Sequence, residues 1–179
     1  NIMSIKGTYI QQLKFDGKTY EKGSMIETVR DFNILCYNFP FKILPEAKEL
    51  PTRDWPGNDG RDVYIPTKIP MAHYEMEVEF IYKGEDDSMR EKINNFIKFL
   101  YGRNEGAIGA RLAIFDEYTG IGRKDVHVQS INDELFYDVD YDDEKCFKFK
   151  VKFIVEDPST EVTPSVVSDV IVGLNFAEP

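Results

Sequence analysis

Cysteine, histidine and tryptophan are all scarce in this chain, whose 179 residues include two Cys, two His and one Trp. Cys36 and Cys146 lie far apart and form no CxxC pair, so neither a dithiol redox motif nor a cysteine zinc site is present, and the two are expected to be small buried apolar residues rather than a disulfide. His73 and His127 have neither HExxH spacing nor a cysteine partner, which leaves no zinc motif. Positive charge is also short: 22 Lys and Arg stand against 32 Asp and Glu, a net charge of −10. Coating a nucleic acid or docking on anionic lipid needs clustered positive charge, so the charge balance argues against both classes. No apolar run approaches the roughly 20 residues of a membrane helix. The stretch Asn1-Ile2-Met3-Ser4-Ile5-Lys6 lacks the basic-then-apolar order of a signal peptide. A GxSxG elbow and a Walker A loop are missing too, and Gly120-Ile121-Gly122 lacks the third glycine of a dinucleotide fingerprint, so Thr119 to Gly122 reads as a turn.

What the chain does hold is aromatic and alternating. Aromatic residues make up 13%, hydrophobic residues 42% and charged residues 30%, which describes a folded β-rich domain. Lys14 to Tyr20 reads as a hairpin turning at Asp16-Gly17, and Ile26 to Tyr37 as a second strand region. In Tyr74 to Tyr82 the side chains of Tyr74, Met76, Val78, Phe80 and Tyr82 share one face, and Glu75, Glu77 and Glu79 share the other. Ser88 with Glu91 forms a capping-box pattern, Met89, Ile93, Phe96, Ile97 and Leu100 recur at helical spacing, and Gly102 marks a stop. That spacing predicts a helix over 89–101. Strands follow at Arg111–Asp116, Lys124–Gln129 and Leu135–Tyr141. From Cys146 to Glu156, Phe147, Phe149, Val151, Phe153 and Val155 alternate with Lys148, Lys150 and Lys152, until Asp157-Pro158 ends the ladder. The expected fold is mainly β with one helix (α+β): an antiparallel two-sheet sandwich or partly closed barrel, with the helix over one open side. The domain spans 1–158. Residues 159–179, with the apolar patch Val166-Val167 and Val170-Ile171-Val172, read as an extension in need of a partner surface.

Residues 40–70 are dense in breakers (Pro40, Pro45, Pro51, Pro56, Gly57, Gly60, Pro66 and Pro70) yet carry Ile43, Leu44, Leu50, Trp55, Val63, Tyr64 and Ile65. A segment this long without regular structure is usually functional or an assembly arm. The glutamate face at 75, 77 and 79 is either a solvated sheet face or, repeated around a ring of subunits, the lining of a pore. The aspartates at 138, 140 and 142 have the alternate spacing of calcium ligands. An EF-hand loop would then need Gly at 143 and Glu at 149, where the chain has Asp143 and Phe149, so the stretch reads as an acidic turn.

The order of these features resembles the siphovirus distal tail proteins, phage tail components whose N-terminal domain shares the tail-tube fold. Three stretches carry the resemblance: the turn Trp55-Pro56-Gly57-Asn58-Asp59-Gly60-Arg61-Asp62-Val63 with its extended arm, the strand Tyr74–Tyr82 running on into the helix that ends Phe99-Leu100-Tyr101-Gly102, and Leu112-Ala113-Ile114-Phe115-Asp116 with the strands through 147–153. Together they span most of residues 24–157. The chain departs from the larger family members by having no carbohydrate-binding-like domain after residue 157, so a minimal distal tail protein and a tail-tube protein are equally admitted. The resemblance implies a structural, non-enzymatic subunit without cofactor or metal. It implies a hexameric ring, other tail or baseplate proteins as partners, and no stable nucleic-acid or membrane binding. The location implied is the virion tail and, during assembly, the bacterial host cytoplasm. On the same reading Trp55, Pro56, Gly57, Asp59, Gly60 and Arg61 belong to an inter-subunit arm, and Glu75, Glu77 and Glu79 face a lumen past which DNA slides. Two alternatives stand beside it. A carbohydrate-binding β-sandwich would gather Trp55 and several tyrosines on one concave surface, and an enzyme would gather carboxylates or a histidine in a cleft.

Overall fold

The computed structural model describes residues 7–43, 45–132, 136–141 and 144–178. Strands β1 (Thr8–Phe15) and β2 (Tyr20–Glu27) form the expected hairpin. At its turn the Asp16 carboxylate accepts the amides of Lys18 and Thr19, both at 2.8 Å. The region read as one strand from Ile26 to Tyr37 is broken by a five-residue helix, α1 (Thr28–Phe32), before β3 (Ile34–Asn38). The Glu27 carboxylate caps that helix by accepting the amides of Val29 at 2.9 Å and Arg30 at 2.7 Å. Asn33 ends it in the left-handed region at φ 55°.

Two short strands, β4 (Thr52–Arg53) and β5 (Asp62–Val63), lie in the breaker-rich segment. Then come β6 (Tyr74–Gly84), α2 (Asp86–Leu100), β7 (Arg111–Asp116), β8 (Ile121–Asn132), β9 (Phe136–Tyr141), β10 (Glu144–Val155), β11 (Val162–Val167) and β12 (Val170–Phe176). Ile121 and Gly122, expected in a turn, already belong to β8. The seven strands run β2-β1-β7-β8-β10-β6-β3, all antiparallel, and β9 pairs with β10 beside this path.

One main sheet therefore replaces the two full sheets expected, and β2 and β3, its edges, do not pair to close a barrel. A flat sheet of seven strands would hold its edges about 29 Å apart. Only residues 28–33 join those edges, and five of the six are helical, which at about 1.5 Å of rise per residue cannot cover that span. The sheet must curl to bring the edges together.

Two cores sit on the two faces. On one, Val78, Phe80, Phe149, Val151 and Phe153 pack against Phe96, Phe99 and Leu100 of α2. Phe80, Phe96 and Phe149 touch one another with ring centroids 5.3–6.1 Å apart. Fully burying each such ring contributes about 1.5–3 kcal/mol. The expected alternation of β6 holds, since Met76, Val78 and Phe80 are buried.

Helix α2 begins at Asp86, earlier than expected, and Ser88 is not its cap. The Ser88 hydroxyl lies 3.3 Å from that of Tyr82, which itself donates to the Glu85 carbonyl at 2.9 Å. A β6 side chain thus tethers the helix start, and Glu85, in the cap position, makes no side-chain capping bond. At the other end Gly102 performs as expected. It sits at φ 68°, its amide reaches Phe99 O at 3.1 Å, and the Arg103 amide reaches Lys98 O at 2.8 Å, a Schellman closure. Gln12 of β1 donates a further 2.9 Å bond to Phe99 O.

On the opposite face, Leu13, Ala113 and Phe115 bury Val162 and Leu174 of the β11–β12 hairpin. The partner surface expected for residues 159–179 is thus the domain's own sheet. Gly122 makes that approach possible, because a Cβ there would stand 2.8 Å from the Val162 side chain and 2.9 Å from its carbonyl. Strands β1 and β7 lie between the two cores and are covered on both sides.

Candidate functional site

The segment between β3 and β6 leaves the body at Phe39 and Phe41, which stack at 4.1 Å and pack against the main core. The buried Arg123 pins the root by donating to Lys42 O at 3.1 Å. Beyond it the chain runs out and back as two legs. Ala72 N donates to Glu46 O at 2.7 Å, Lys48 N to Pro70 O at 2.8 Å and Tyr64 N to Pro51 O at 3.0 Å. Thr52 pairs with Val63 and Arg53 with Asp62. Prolines remove donors from both legs, so the ladder stays this sparse. Every residue from Pro51 to Ile65 is exposed.

At the arm's tip the residues singled out in the sequence do come together. Trp55 Nε1 donates to Asp62 Oδ2 at 3.1 Å, and the Arg53 guanidinium lies 5.0 Å from the indole ring. Gly57 and Gly60 take positive φ of 92° and 73°, and the loop encloses a shallow hollow of about 410 Å³ bordered by Trp55, Gly57, Asp59, Gly60 and Arg61. No tyrosine borders it. The concave aromatic platform of a carbohydrate module is not built around Trp55 among the described residues. Apolar side chains run the length of the arm instead: Ile43, Val63, Tyr64, Ile65, Ile69 and Met71 are all exposed.

Glu75, Glu77 and Glu79 do lie on the face of β6 opposite the main core. The sequence reading of that face as plainly acidic needs correction, because β10 sets lysines beside the glutamates. Lys152 faces Glu77 and Lys150 faces Glu79 in register. Lys152 Nζ is 2.8 Å from Glu75, and Lys150 Nζ is 3.4 Å from Glu79 and 3.6 Å from Glu77. The hydrogen bond and charge of Lys152 hold the Glu75 carboxyl below its ordinary range. Lys148 lies 5.5 Å from the Tyr37 ring on the neighbouring edge strand. The face is charge-balanced rather than acidic.

Sequence reasoning missed a polar cluster under the C-terminal hairpin. Lys124 Nζ, 6% exposed, bonds Tyr20 Oη at 2.9 Å, Asp125 Oδ2 at 3.1 Å and Asp157 Oδ2 at 3.0 Å. Arg111 closes on Asp125 at 2.7 Å. Burial works against charge on Lys124, but bonds from Tyr20, Asp157 and Asp125 outweigh it and raise its pKa. Burial would likewise raise Asp157, yet the hydroxyl and amide of Thr160 together with Lys124 bring it down to about 2. The signal was in the sequence: Arg123-Lys124-Asp125 sets three charges in a row at the start of a strand, just before the alternating Val126 and Val128.

The remaining candidates gather no chemistry. His127 Nε2 lies 3.1 Å from Glu156 Oε1 at the surface, beside a hollow that no hydroxyl or thiol side chain lines. Cys36 faces Phe80 in register and Cys146 faces Lys83, so the two thiols lie on opposite faces of the sheet and are free. Burial, and then the Asp116 charge, push the Cys36 thiol up to about 12. The calcium test at 138–142 lies outside what is described: Asp142 falls outside the described residues, as do the side chains of Asp138 and Asp140. Among the described residues no three His, Cys, Asp or Glu side chains group as metal ligands, and no helix is long and apolar enough to cross a membrane. No protein-family model matches the chain, and no curated protein matches it.

Proposed function

We propose that the chain is a structural, non-catalytic subunit of a phage or prophage tail, a partly closed β-barrel of tail-tube type that assembles with copies of itself into a ring connecting or extending the tube. The observation that carries this reading is the arm. Its legs hold few hydrogen bonds of their own among the described residues, and its apolar side chains from Ile43 to Met71 stay exposed. An apolar surface of this kind marks a protein–protein contact. The receiving surface on this reading is an edge of the main sheet: β2 and β3 end the strand order, with no further strand beside them among the described residues, the template that an extended segment adds to. Hexameric closure and contact with other tail or baseplate proteins belong to the same proposal, as does a place in the virion tail.

The charge-balanced face of β6 and β10 is the proposed lumen lining. Three glutamates offset Lys148, Lys150 and Lys152, so DNA meets a wall without the free positive charge that phosphate binding requires. The test of the assembly reading is direct. Replacing residues 48–70 by a short glycine-serine turn is expected to leave the sheet folded and to abolish the oligomer seen by light scattering. A replaced chain that assembles like the parent overturns the reading, and one that unfolds assigns the arm to the core.

A further inference from the structure

The chain holds two Asp-Gly pairs, Asp16-Gly17 at the turn of the β1–β2 hairpin and Asp59-Gly60 at the tip of the arm, each followed by a basic residue, Lys18 or Arg61. The pairs match in more than sequence. All four residues are exposed, and both glycines take positive φ, 96° at Gly17 and 73° at Gly60. No other atom lies within 4 Å of where a Cβ would stand on either glycine. An exposed Asp-Gly pair can react with itself, because glycine puts no side chain in the way of its own amide nitrogen.

The carboxylate separates the two pairs. Asp16 is fully engaged: one oxygen accepts the amides of Lys18 and Thr19, both at 2.8 Å, and the other accepts the Thr19 hydroxyl at 3.2 Å. These bonds carry the carboxylate past Gly17. The amides of Thr19 and then Lys18 also hold it below its ordinary range, so the protonated acid is scarce there. Among the described residues the Asp59 carboxylate accepts no hydrogen bond and joins no ion pair, and the Gly60 amide donates none. Asp59 borders the open hollow at the tip, where its side chain is free to turn back on the main chain.

We infer that the arm tip is a self-modifying site, at which the Asp59 side chain closes on the Gly60 nitrogen and the pair passes through a cyclic imide to isoaspartate. In the first step the Gly60 nitrogen loses its proton and attacks Cγ of the protonated Asp59 carboxyl. An N–Cγ bond forms, a Cγ–O bond breaks, and the hydroxyl leaves with the proton as water. In the second step water adds to the imide. Opening at Cγ restores aspartate. Opening at the Asp59 main-chain carbonyl leaves the chain running through Cγ, with the old carbonyl as a free carboxylate. No oxidant or cofactor enters, and the mass returns to that of the parent. The main chain gains a carbon inside the loop that holds Trp55 against Asp62. At Asp16 the same chemistry must first break hydrogen bonds to an ionised group, and breaking even one slows it about tenfold. The site belongs to the single chain and does not depend on the assembly reading.

The two pairs make the test internal to one molecule. The intact chain is held warm at mildly acidic pH, treated with a protein isoaspartate methyltransferase and labelled S-adenosylmethionine, digested with trypsin and mapped by mass spectrometry. Label is expected at Asp59 in the Asp54–Arg61 peptide, with about tenfold less in Phe15–Lys18. In urea, where both turns are lost, the two peptides should label alike, because Asp-Gly-Lys and Asp-Gly-Arg are alike in local chemistry. Asp59→Glu, a change at an exposed side chain, should clear the label from the arm peptide. Isoaspartate arising from Asn58 would survive that change and carry the mass shift of deamidation. Equal labelling of the two peptides in the folded chain overturns the inference. So does a folded chain that labels at neither pair, and so does arm label that persists in Asp59→Glu.

Discussion

Two hairpins leave the same sheet and have opposite fates. The C-terminal hairpin returns to the body: Val162 and Leu174 are fully buried against Leu13, Ala113 and Phe115, and Lys124, Asp125 and Asp157 bind its entry with short ionic contacts. The arm does not return. After Phe41 and the Arg123 bond to Lys42 O, its legs hold mainly each other. Exposed apolar side chains do not separate the two, since both carry them, although residues 40–70 hold ten charged residues and Val162–Phe176 only Asp169. Position does. The hairpin crosses over strands whose outward residues are apolar, whereas the arm leaves the sheet at an edge, passes the hairpin root only at Lys68 to Met71 and leaves Pro51 to Ile65 exposed.

If that contrast is right, substitutions should divide sharply by hairpin. The largest effect is expected at the buried root, where Leu174→Ala should lower stability by about 3 kcal/mol in urea unfolding. A loss below about 1 kcal/mol would mean the hairpin is not part of the body. Next in size is Asp157. Its carboxyl stands at about 2 in the folded chain against 3.8 for a free side chain. The group is depressed on folding, so its contribution is present above pH 3.8 and is lost as pH falls from about 4 to about 2. The difference corresponds to about 2 kcal/mol. Asp157→Asn should therefore cost about that much at pH 7 and flatten the acid limb of the stability curve, whereas an unchanged limb would remove Lys124 and Thr160 from the anchor. On the arm, Tyr64→Ala should change monomer stability by less than about 0.5 kcal/mol while weakening assembly. Smallest of all in stability is the combined change of Glu75, Glu77 and Glu79 to Gln, which should leave the melting midpoint unmoved. It uncovers Lys148, Lys150 and Lys152, and the assembled form should gain salt-sensitive DNA affinity that the parent lacks. Glutamates on the outer wall of a ring would instead leave the assembly's DNA binding unchanged.

How far the sequence revealed this follows from burial. Strands β6 and β10 are covered on one face, so strict alternation exposed both their extent and their direction. In β1 and β7 alternation is blurred because both faces are covered, and β1 buries Gln11 and Gln12 among its apolar neighbours. Helix α1 is only five residues long and starts on a glutamate cap, too short for a helical period to register. The start of α2 lies earlier than the Ser88 pattern indicates because Tyr82, a strand residue, ties down the Glu85 carbonyl at the helix start and engages the Ser88 hydroxyl, a contact that no helical period records. The arm's breakers and apolar anchors were legible, and its tip residues cluster as read. The lysines beside Glu75, Glu77 and Glu79 were legible as a second alternating strand, but not as neighbours, because strand order is not written in either pattern. Where the C-terminal hairpin docks was hidden for a related reason: the valine patch drew attention to the tip, while the anchoring residues, Val162 and Leu174, are single apolar side chains among polar ones.

Amide hydrogen exchange on the intact chain, followed as concentration carries it from monomer to assembly, tests the division most directly. In the monomer the amides of residues 51–65 are expected to exchange freely while those of β6, β10, β11 and β12 stay protected. On assembly, protection should appear along the arm and at the outer amides of β2 or β3, with β6 and β10 unchanged. An arm as protected as the sheet in the monomer, or one still open in the assembled form, would contradict its assignment as the part of the chain that folds against a partner.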